Sequence, residues 1–318
     1  MTGSGSTPRG AARVSFDDAH SQAVLMGRVE RVLVLAHSGK PQASDLLLAV
    51  EPWLRERVDR VDVESDVIAF TAAQERRLDR GESEDSPDLV VVLGGDGAIL
   101  SAVRAFRATP VPTLGINLGS VGFLASTPVS RWEQVLEEVL AGSGVLEPRM
   151  RLRVSLESDE GVRRTVALND AVCSRGADDP MLRLALSVGD SWVTDYRSDG
   201  LILASPSGST AYSLSAGGPI LAPSMLGVVV TPICSQALAN RPIVLHPDSE
   251  LHLSLVGPDA EADVVVDGLR FGCLRQGRRL TVTRHPQPFP LLTLPGLDPY
   301  RRLRERLGWS GAVQGNGG

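Results

Sequence analysis

Residues 87–100 read PDLVVVLGGDGAIL, and this stretch decides the fold. The five apolar residues at 89–93, three of them Val, predict a strand buried on both faces, as in a parallel sheet. A turn at 94–97 follows, and then apolar residues at helical spacing. Strand, glycine-rich turn and helix together form an anion site, because small residues let backbone N–H groups approach a phosphate and the helix N-terminus adds partial positive charge.

Asp96 is the unusual residue of the turn Gly94-Gly95-Asp96-Gly97, which we call the GGDG turn. A carboxylate among phosphate-binding amides repels an anion unless it binds a metal or accepts a proton from a substrate. We therefore expect Asp96 at a phosphoryl-transfer centre, with the three glycines facing phosphate. The alternative is a turn that is glycine-rich for packing alone. A Walker loop is excluded because no Lys follows, and the dinucleotide fingerprint is excluded by Leu100 in place of its third Gly.

Composition narrows the class of protein. The 318 residues allow two domains, and the net charge of −6 argues against nucleic acid or an anionic membrane as the main partner. We find no apolar run of about 18 residues and no secretory signal. Three widely spaced cysteines argue against a disulfide framework. These features predict a soluble protein of a reducing cytoplasm.

Strands alternate with helices over residues 29–145 and predict an α/β domain with a parallel sheet, after a loose tail at 1–28. A helix begins at Pro41, and Pro52 kinks or splits it. Residues 71–88 are charged and predict a surface connection. A strand at 111–116 leads into a loop at 117–124 that is typical of a pocket at a sheet edge, where Phe123 packs on a ligand or joins the core. A helix at 131–140 closes the region.

Short strands without intervening helices follow over residues 146–288 and predict a mainly-β sandwich. The expected strands are at 151–156, 162–172, 182–188, 192–196, 227–231, 251–256, 264–266 and 280–283. The last segment, residues 289–318, contains a basic helix at 300–307.

Residues 196–219 interrupt the β pattern with a turn, a short strand and a Ser/Pro/Gly loop that opens a helix near Ser209. Hydroxyls and free amides at a helix start suit ribose and adenine edges, whereas a plain turn and helix cap would explain only Gly208 and Ser209. Asn169 and Asp170 follow a strand end, where a carboxylate can accept both hydroxyls of a ribose. Elsewhere this dipeptide is usually a loop.

These segments occur in the order and at the spacing seen in the bacterial NAD kinases. The GGDG turn, residues 117–124, Asn169-Asp170, residues 199–219 and residues 241–245 all match, so the chain resembles that family over about residues 31–307. The resemblance implies an α/β domain, a β-sandwich and an active site in the crevice between them. It also implies a C-terminal helix that packs back on the first domain, and homodimers or homotetramers formed through the β domains.

The resemblance further implies transfer of the γ-phosphate of ATP, or of polyphosphate, to the adenosine-ribose 2′-hydroxyl of NAD, with Mg²⁺ or another divalent cation on the phosphates. Asp96 would accept the hydroxyl proton. The residues matching NAD-binding positions are Asp96, Gly97, Phe123, Asn169, Asp170, Arg197, Asp199, Thr210, Ala211, Tyr212 and Ser215, and those facing phosphate are Gly94, Gly95 and Gly97.

The chain departs from the usual family pattern at a few positions. Ala98 replaces a Thr, Asp170 replaces a Glu, Ser205 and Ser207 replace two Thr, and Ser120 stands at a place that is often basic or amide-bearing. Two other functions stay open at this point. One is a lipid or sphingoid-base kinase that shares the GGDG turn, and the other is a catalytically degraded NAD(P)-sensing module.

Overall fold

The computed structural model describes residues 28–37, 39, 41–80, 86–119, 122–177, 179–237, 239–257, 260–293 and 299–309. The tail expected at residues 1–28 lies outside these ranges except for Arg28, and so does Ser120. Within the described ranges, no helix is long and apolar enough to cross a membrane.

The first part of the chain alternates strands with helices, as predicted. Its elements are β1 (Arg31–Ala36), α1 (Pro41–Arg55), β2 (Arg60–Glu64), α2 (Val67–Asp79), β3 (Leu89–Leu93), α3 (Asp96–Ala105), β4 (Thr113–Asn117), β5 (Thr127–Pro128), α4 (Trp132–Leu140) and β6 (Val145–Arg149). Helix α1 runs unbroken through Pro52, so it is not split. Pro52 is exposed, and the carbonyl that loses its N–H partner there belongs to the exposed Leu48, which is open to water.

The expectation of a charged surface connection over 71–88 is wrong for residues 71–79, which form the second half of α2. The Asp66 carboxylate caps this helix by accepting a hydrogen bond from the Ala69 N–H at 2.9 Å. Only Val67 and Thr71 of α2 are buried, so the apolar stripe is narrow. The many charges around it hid the helical period.

The second part of the chain is mainly strands. Its elements are β7 (Leu152–Ser158), β8 (Gly161–Ala167), β9 (Asp170–Ser174), β10 (Leu182–Val188), β11 (Ser191–Ser198), β12 (Gly200–Ala204), α5 (Tyr212–Ser215), β13 (Val228–Ile233), β14 (Ile243–Leu245), β15 (Leu251–Leu255), β16 (Glu261–Val266), β17 (Leu269–Arg275), β18 (Arg279–Arg284), β19 (Phe289–Thr293) and α6 (Pro299–Leu307). The single strand expected over 162–172 is two strands, β8 and β9, in different sheets.

Two six-stranded antiparallel sheets form the predicted sandwich, with strand orders β11-β10-β15-β18-β7-β8 and β14-β13-β12-β9-β16-β17. Alternate side chains of both sheets meet in one core, as in Leu152, Leu184, Leu203 and Val264. The period-two pattern of the sequence therefore predicted this layer correctly.

The first sheet has the order β2-β1-β3-β4-β19-β6, with β5 beside β4. Strands β1 to β5 pair in parallel, and β19 returns from the end of the sandwich to lie parallel to β4 and antiparallel to β6. The sheet is thus mixed and mostly parallel, in agreement with the predicted α/β domain, and its antiparallel pair is β19 with β6. In sequence, a strand of a parallel sheet is recognised because helices alternate with it. Strand β18 rather than a helix directly precedes β19, so the sequence of β19 does not show that it joins the first sheet.

Helix α6 packs back on the first domain, as the resemblance implied. Leu303 is 7% exposed, and the Arg306 guanidinium lies 5.7 Å from the centroid of the Phe123 ring. Phe123 belongs to the loop after β4, so the C-terminal helix reaches the carboxyl edge of the first sheet.

Candidate active site

The GGDG turn and the loop after β4 lie at one edge of the first sheet. Strands β3 and β4 are parallel neighbours with Leu93 opposite Ile116, and the Gly94 N–H donates to the Ile116 carbonyl at 3.0 Å. Gly97 is exposed, and a Cβ built on it would meet no atom within 4 Å. The turn therefore has open space in front of it at the carboxyl end of the sheet, where ligands of open α/β sheets bind.

The Asp96 carboxylate holds the loop that follows β4. Oδ2 accepts the Phe123 N–H at 3.0 Å, and Oδ1 accepts the N–H groups of Leu124 at 3.1 Å and Ala125 at 2.9 Å. Asp96 is half-buried. Hydrogen bonds from three successive amides fix the carboxylate firmly at the start of α3.

Asn117 closes the same loop from the other side. Its Nδ2 donates to the Ala125 carbonyl at 3.1 Å, and its Oδ1 accepts the Gly119 N–H at 2.8 Å. Phe123 is half-buried and lies outside the buried core clusters, whereas its neighbour Leu124 is in the core. The Phe123 ring therefore lies between the edge of the site and Arg306 of α6.

A cavity of about 470 Å³ lies between the first sheet's helix α3 and the sandwich. Leu100, one turn after Asp96 on α3, lines one side. The sandwich domain lines the other side with four of the residues predicted to bind NAD, namely Asn169, Asp170, Ala211 and Tyr212. The crevice expected between the domains is thus present, and it gathers residues that are distant in sequence.

Asp267 and Gly268 also line the cavity, and no motif of the sequence analysis included them. They form the two-residue turn between β16 and β17, with φ values of +45° and +79°. An Asp-Gly pair between alternating apolar residues is a strong signal for such a hairpin. The run from Val264 to Phe271 carries that signal in the sequence.

The Asp267 carboxylate binds the backbone where the chain passes from β8 to β9. It accepts hydrogen bonds from the N–H groups of Leu168 at 2.7 Å, Asn169 at 2.8 Å and Asp170 at 3.0 Å. These bonds satisfy three amides where the chain leaves one sheet for the other, which is why the expected single strand breaks there.

The two carboxyl groups at this wall have shifted pKa values. Burial, and secondarily the charge of Asp267, raise the pKa of Asp170 to about 7. Burial also raises the pKa of Asp267, but the three amide donors and the positive charge of Arg104 oppose that rise.

Arg197 and Asp199 lie beyond the far end of this cavity. Strand β12 pairs with β9 so that Ala204 is opposite Asp170 and Gly200 is opposite Ser174, a residue that lines the cavity. The Asp199 carboxylate accepts a hydrogen bond from Arg175 Nε at 2.7 Å. Arg197 is exposed. The described lining includes neither of these residues, nor Thr210 or Ser215.

The hydroxyl groups of residues 205–218 form hydrogen bonds within the fold. Ser209 Oγ donates to the Pro206 carbonyl at 2.7 Å, Thr210 Oγ1 donates to the Ser207 carbonyl at 2.9 Å, and Ser213 Oγ lies 2.8 Å from Thr231 Oγ1. The Ser209 and Thr210 hydroxyls thus donate within the fold, and their role toward a ligand stays a prediction. A tight strand–loop–helix needs these bonds because its backbone groups lack regular partners.

Comparison with known proteins identifies the family. Residues 32–144 match the family described as ATP-NAD kinase N-terminal domain, and residues 168–294 match ATP-NAD kinase C-terminal domain. The NAD kinase of Rhodopirellula baltica is 38% identical over 90% of this chain and 89% of its own length. The chain belongs to the NAD kinase family.

Other NAD kinases agree with this assignment. That of Methylibium petroleiphilum is 38% identical over 92% of this chain and 99% of its own. The crystal structure of yeast NADH kinase complexed with NADH has the same fold, with a TM-score of 0.74, 24% identity, and coverage of 91% of this chain and 90% of that one. An NAD kinase from Archaeoglobus fulgidus in complex with ATP gives a TM-score of 0.64 at 25% identity, covering 87% and 97%.

Members of the NAD kinase family are phosphotransferases, so the predicted family and enzyme class are confirmed. The two family matches favour this class over the lipid-kinase alternative.

Proposed function

We propose that this chain transfers the γ-phosphate of ATP, or a phosphate of polyphosphate, to the adenosine-ribose 2′-hydroxyl of NAD and thereby forms NADP. One observation carries the proposal most strongly. The Asp96 carboxylate stands at the start of α3 in a phosphate-type turn, and Leu100 on the next turn of the same helix lines the cavity that holds Asn169 and Asp170.

Asp96 has one acceptor position available for the substrate hydroxyl. Each carboxylate oxygen accepts about two hydrogen bonds. Among the described residues, Oδ1 receives two amide N–H groups and Oδ2 receives one, that of Phe123. In the reaction, the 2′-oxygen forms a bond to the γ-phosphorus as the bond from phosphorus to ADP breaks, and the hydroxyl proton passes to Asp96 Oδ2. Phosphoryl transfer depends mainly on such positioning and on charge stabilisation.

The remaining predicted residues are assigned along one extended ligand. Asn169, Asp170, Ala211 and Tyr212 would contact the adenosine part of NAD within the cavity, with Phe123 packing at its edge. Thr210 and Ser215 would lie beside this part, next to Ala211 and Tyr212 in the chain. Arg197 and Asp199 would contact the nicotinamide end, beyond Ser174. Gly94, Gly95 and Gly97 would face the phosphates of the donor.

Mg²⁺, or another divalent cation, would arrive on the phosphates of ATP as part of the substrate. Mg²⁺ is usually bound by one or two carboxylates plus substrate phosphates and keeps several waters. Among the described residues, no three His, Cys, Asp or Glu side chains lie together as a metal cage. The cation would neutralise charge on the transferred phosphate.

We also propose a cytoplasmic homodimer or homotetramer that forms through the sandwich. The apolar side chains of Met225, Ile243 and Val244 are exposed near the edge strand β14. Cys173, Cys234 and Cys273 are free thiols, which suits a reducing compartment.

The direct test incubates the purified chain with NAD, ATP and Mg²⁺ and measures NADP. We expect turnover with NAD, and none with a sphingoid base or diacylglycerol as acceptor. An absence of NADP would overturn the proposal. Thermal stabilisation by NADP without any turnover would instead assign a sensing module.

A further inference from the structure

Asp170 and Asp267 are two buried carboxyl groups on one wall of the cavity. Asp170 is 5% exposed and Asp267 is 6% exposed. The Asp170 N–H donates to Asp267 Oδ1 at 3.0 Å, and the Asp267 N–H donates to the Asp170 carbonyl at 3.0 Å. This reciprocal pair of bonds ties the β16–β17 hairpin to the start of β9.

The two carboxyl groups differ in what stabilises a negative charge. Asp267 accepts three hydrogen bonds, from the amides of Leu168, Asn169 and Asp170. The positive charge of Arg104 on α3 also lowers the pKa of Asp267. The Asp170 carboxyl makes no hydrogen bond to any described residue. Hydrogen bonds to an anion favour the charged form, whereas burial beside another negative charge favours the neutral form. Burial raises the pKa of both groups, but the amide bonds and Arg104 oppose that rise at Asp267, so a negative charge is better stabilised on Asp267 than on Asp170.

We propose that Asp267 is a positioning residue, which fixes the turn at 168–170 and makes Asp170 present a proton rather than a negative charge to bound NAD. The inference deepens the proposed function and rests on it. Asp170 would then act as a hydrogen-bond donor toward an acceptor atom of the dinucleotide.

The groups around Asp170 support this placement of the proton. Burial and the charge of Asp267 raise the pKa of Asp170 to about 7. On the opposite side of the cavity, α3 contributes the apolar Leu100, and its Arg104 acts on Asp267. Tyr212 of α5 lines the cavity, and β12 pairs with Asp170 through the uncharged Ala204. Among the described residues that face Asp170, Asp267 is the source of negative charge.

Binding of NAD should strengthen this preference. The dinucleotide carries negatively charged phosphates, and it displaces water from the cavity as it binds. Both effects disfavour ionisation of Asp170. The dissociation constant for NAD should therefore be lowest below pH 7 and should rise above it, approaching about tenfold per pH unit once the proton is lost.

The test measures the dissociation constant of the full chain for NAD by calorimetry between pH 5.5 and 9. We compare wild type with D170N, D267N and D159N. Asp159 is an exposed residue in the β7–β8 hairpin turn whose carboxylate pairs with Arg278, so D159N is a matched control. We expect the D159N profile to follow wild type. D170N has no titrating group at this position, so its dissociation constant should stay level across pH 7.

D267N removes the neighbouring charge, so the rise in its dissociation constant should begin about one pH unit lower. D267N also weakens the three hydrogen bonds from the amides of residues 168–170 and could prevent folding. In that case D170N is the variant that decides. A level wild-type profile, or an unchanged rise in D170N, would overturn the inference. NADP formation is assayed separately, so a chain that binds NAD with this profile but makes no NADP would contradict the proposed function alone.

Discussion

Gly122 and Asp96 approach so closely that a Cβ on residue 122 would lie 2.0 Å from Asp96 Oδ1. No side-chain carbon can occupy that position, so the loop must have glycine there for the carboxylate to reach the three amides beyond it. Gly122 itself is anchored through its N–H, which donates to the Ala125 carbonyl at 3.2 Å.

Gly122→Ala should therefore displace Asp96 or the loop and misplace the base relative to the 2′-hydroxyl. We expect kcat for NADP formation to fall by about 10²-fold, the loss that a displacement near 1 Å can cause. Gly119→Ala is the matched control in the same loop, because its nearest atom would be Asn117 Oδ1 at 4.0 Å. Equal kcat values for the two variants would contradict the prediction.

Asp96→Asn should remove both the proton acceptor and part of the loop anchor. An amide NH₂ placed where Oδ1 accepts two N–H groups would face donors with a donor. We expect kcat to fall by roughly 10²–10⁴-fold, the contribution typical of a general base.

The melting temperature of Asp96→Asn should also fall, because the amides of Phe123, Leu124 and Ala125 lose a charged acceptor. Asp66→Asn is the control, since Asn caps a helix such as α2 as well as Asp does. Full kcat in Asp96→Asn would refute the role of Asp96 in the reaction.

Local patterns predicted the layers of this fold better than they predicted its long-range pairings. The five consecutive apolar residues of β3 predict a strand buried on both faces, and the alternation in the sandwich strands predicts strands buried on one face. Strand β19 and its place between β4 and β6 are set by tertiary contact with residues about 140–180 positions earlier, which no local period encodes.

The candidate site also has residues that the sequence pattern predicts and residues whose role only the tertiary structure shows. The GGDG turn marked Asp96 because a carboxylate among glycines is chemically unusual. The sequence pattern suits the Ser209 hydroxyl to a ligand as well, but its partners are Pro206 and Leu221 within the fold. Composition cannot distinguish a hydroxyl that binds a ligand from one that satisfies a buried backbone, because both need the same donor.

Ser213→Ala should destabilise the sandwich without altering the reacting groups. Ser213 and Thr231 are fully buried, and their hydroxyls lie 2.8 Å apart. Removing one leaves the other without that partner, so we expect the free energy of unfolding to fall by about 1–3 kcal/mol. Urea denaturation followed by fluorescence measures this change.

The double variant Ser213→Ala with Thr231→Val tests the cause of that loss. Replacing both partners by apolar groups of similar shape can be nearly neutral, because no buried donor is left unsatisfied. We expect the double variant to recover most of the stability that Ser213→Ala loses. If the two losses instead add, the hydrogen bond is not the source of the effect.

His285 should make the stability of the chain depend on acid pH. Its Nδ1 lies 3.1 Å from Nη2 of the fully buried Arg151, which also donates to the carbonyls of Arg107 and Gln287. Burial, and then the charge of Arg151, lower the pKa of His285 to about 4. An unfolded histidine titrates near pH 6.5, so on acidification the unfolded chain binds this proton first.

The stabilising effect of neutral His285 is therefore complete above about pH 6.5 and is lost as the pH falls toward 4. We expect the urea midpoint to fall over this range, and His285→Asn to flatten the fall, because Asn keeps an acceptor for Arg151 but does not titrate. His246→Asn is the control, since His246 is exposed and should leave the wild-type slope unchanged. If His285→Asn and wild type lose stability in parallel between pH 6.5 and 4, then His285 is not the group whose protonation opposes folding.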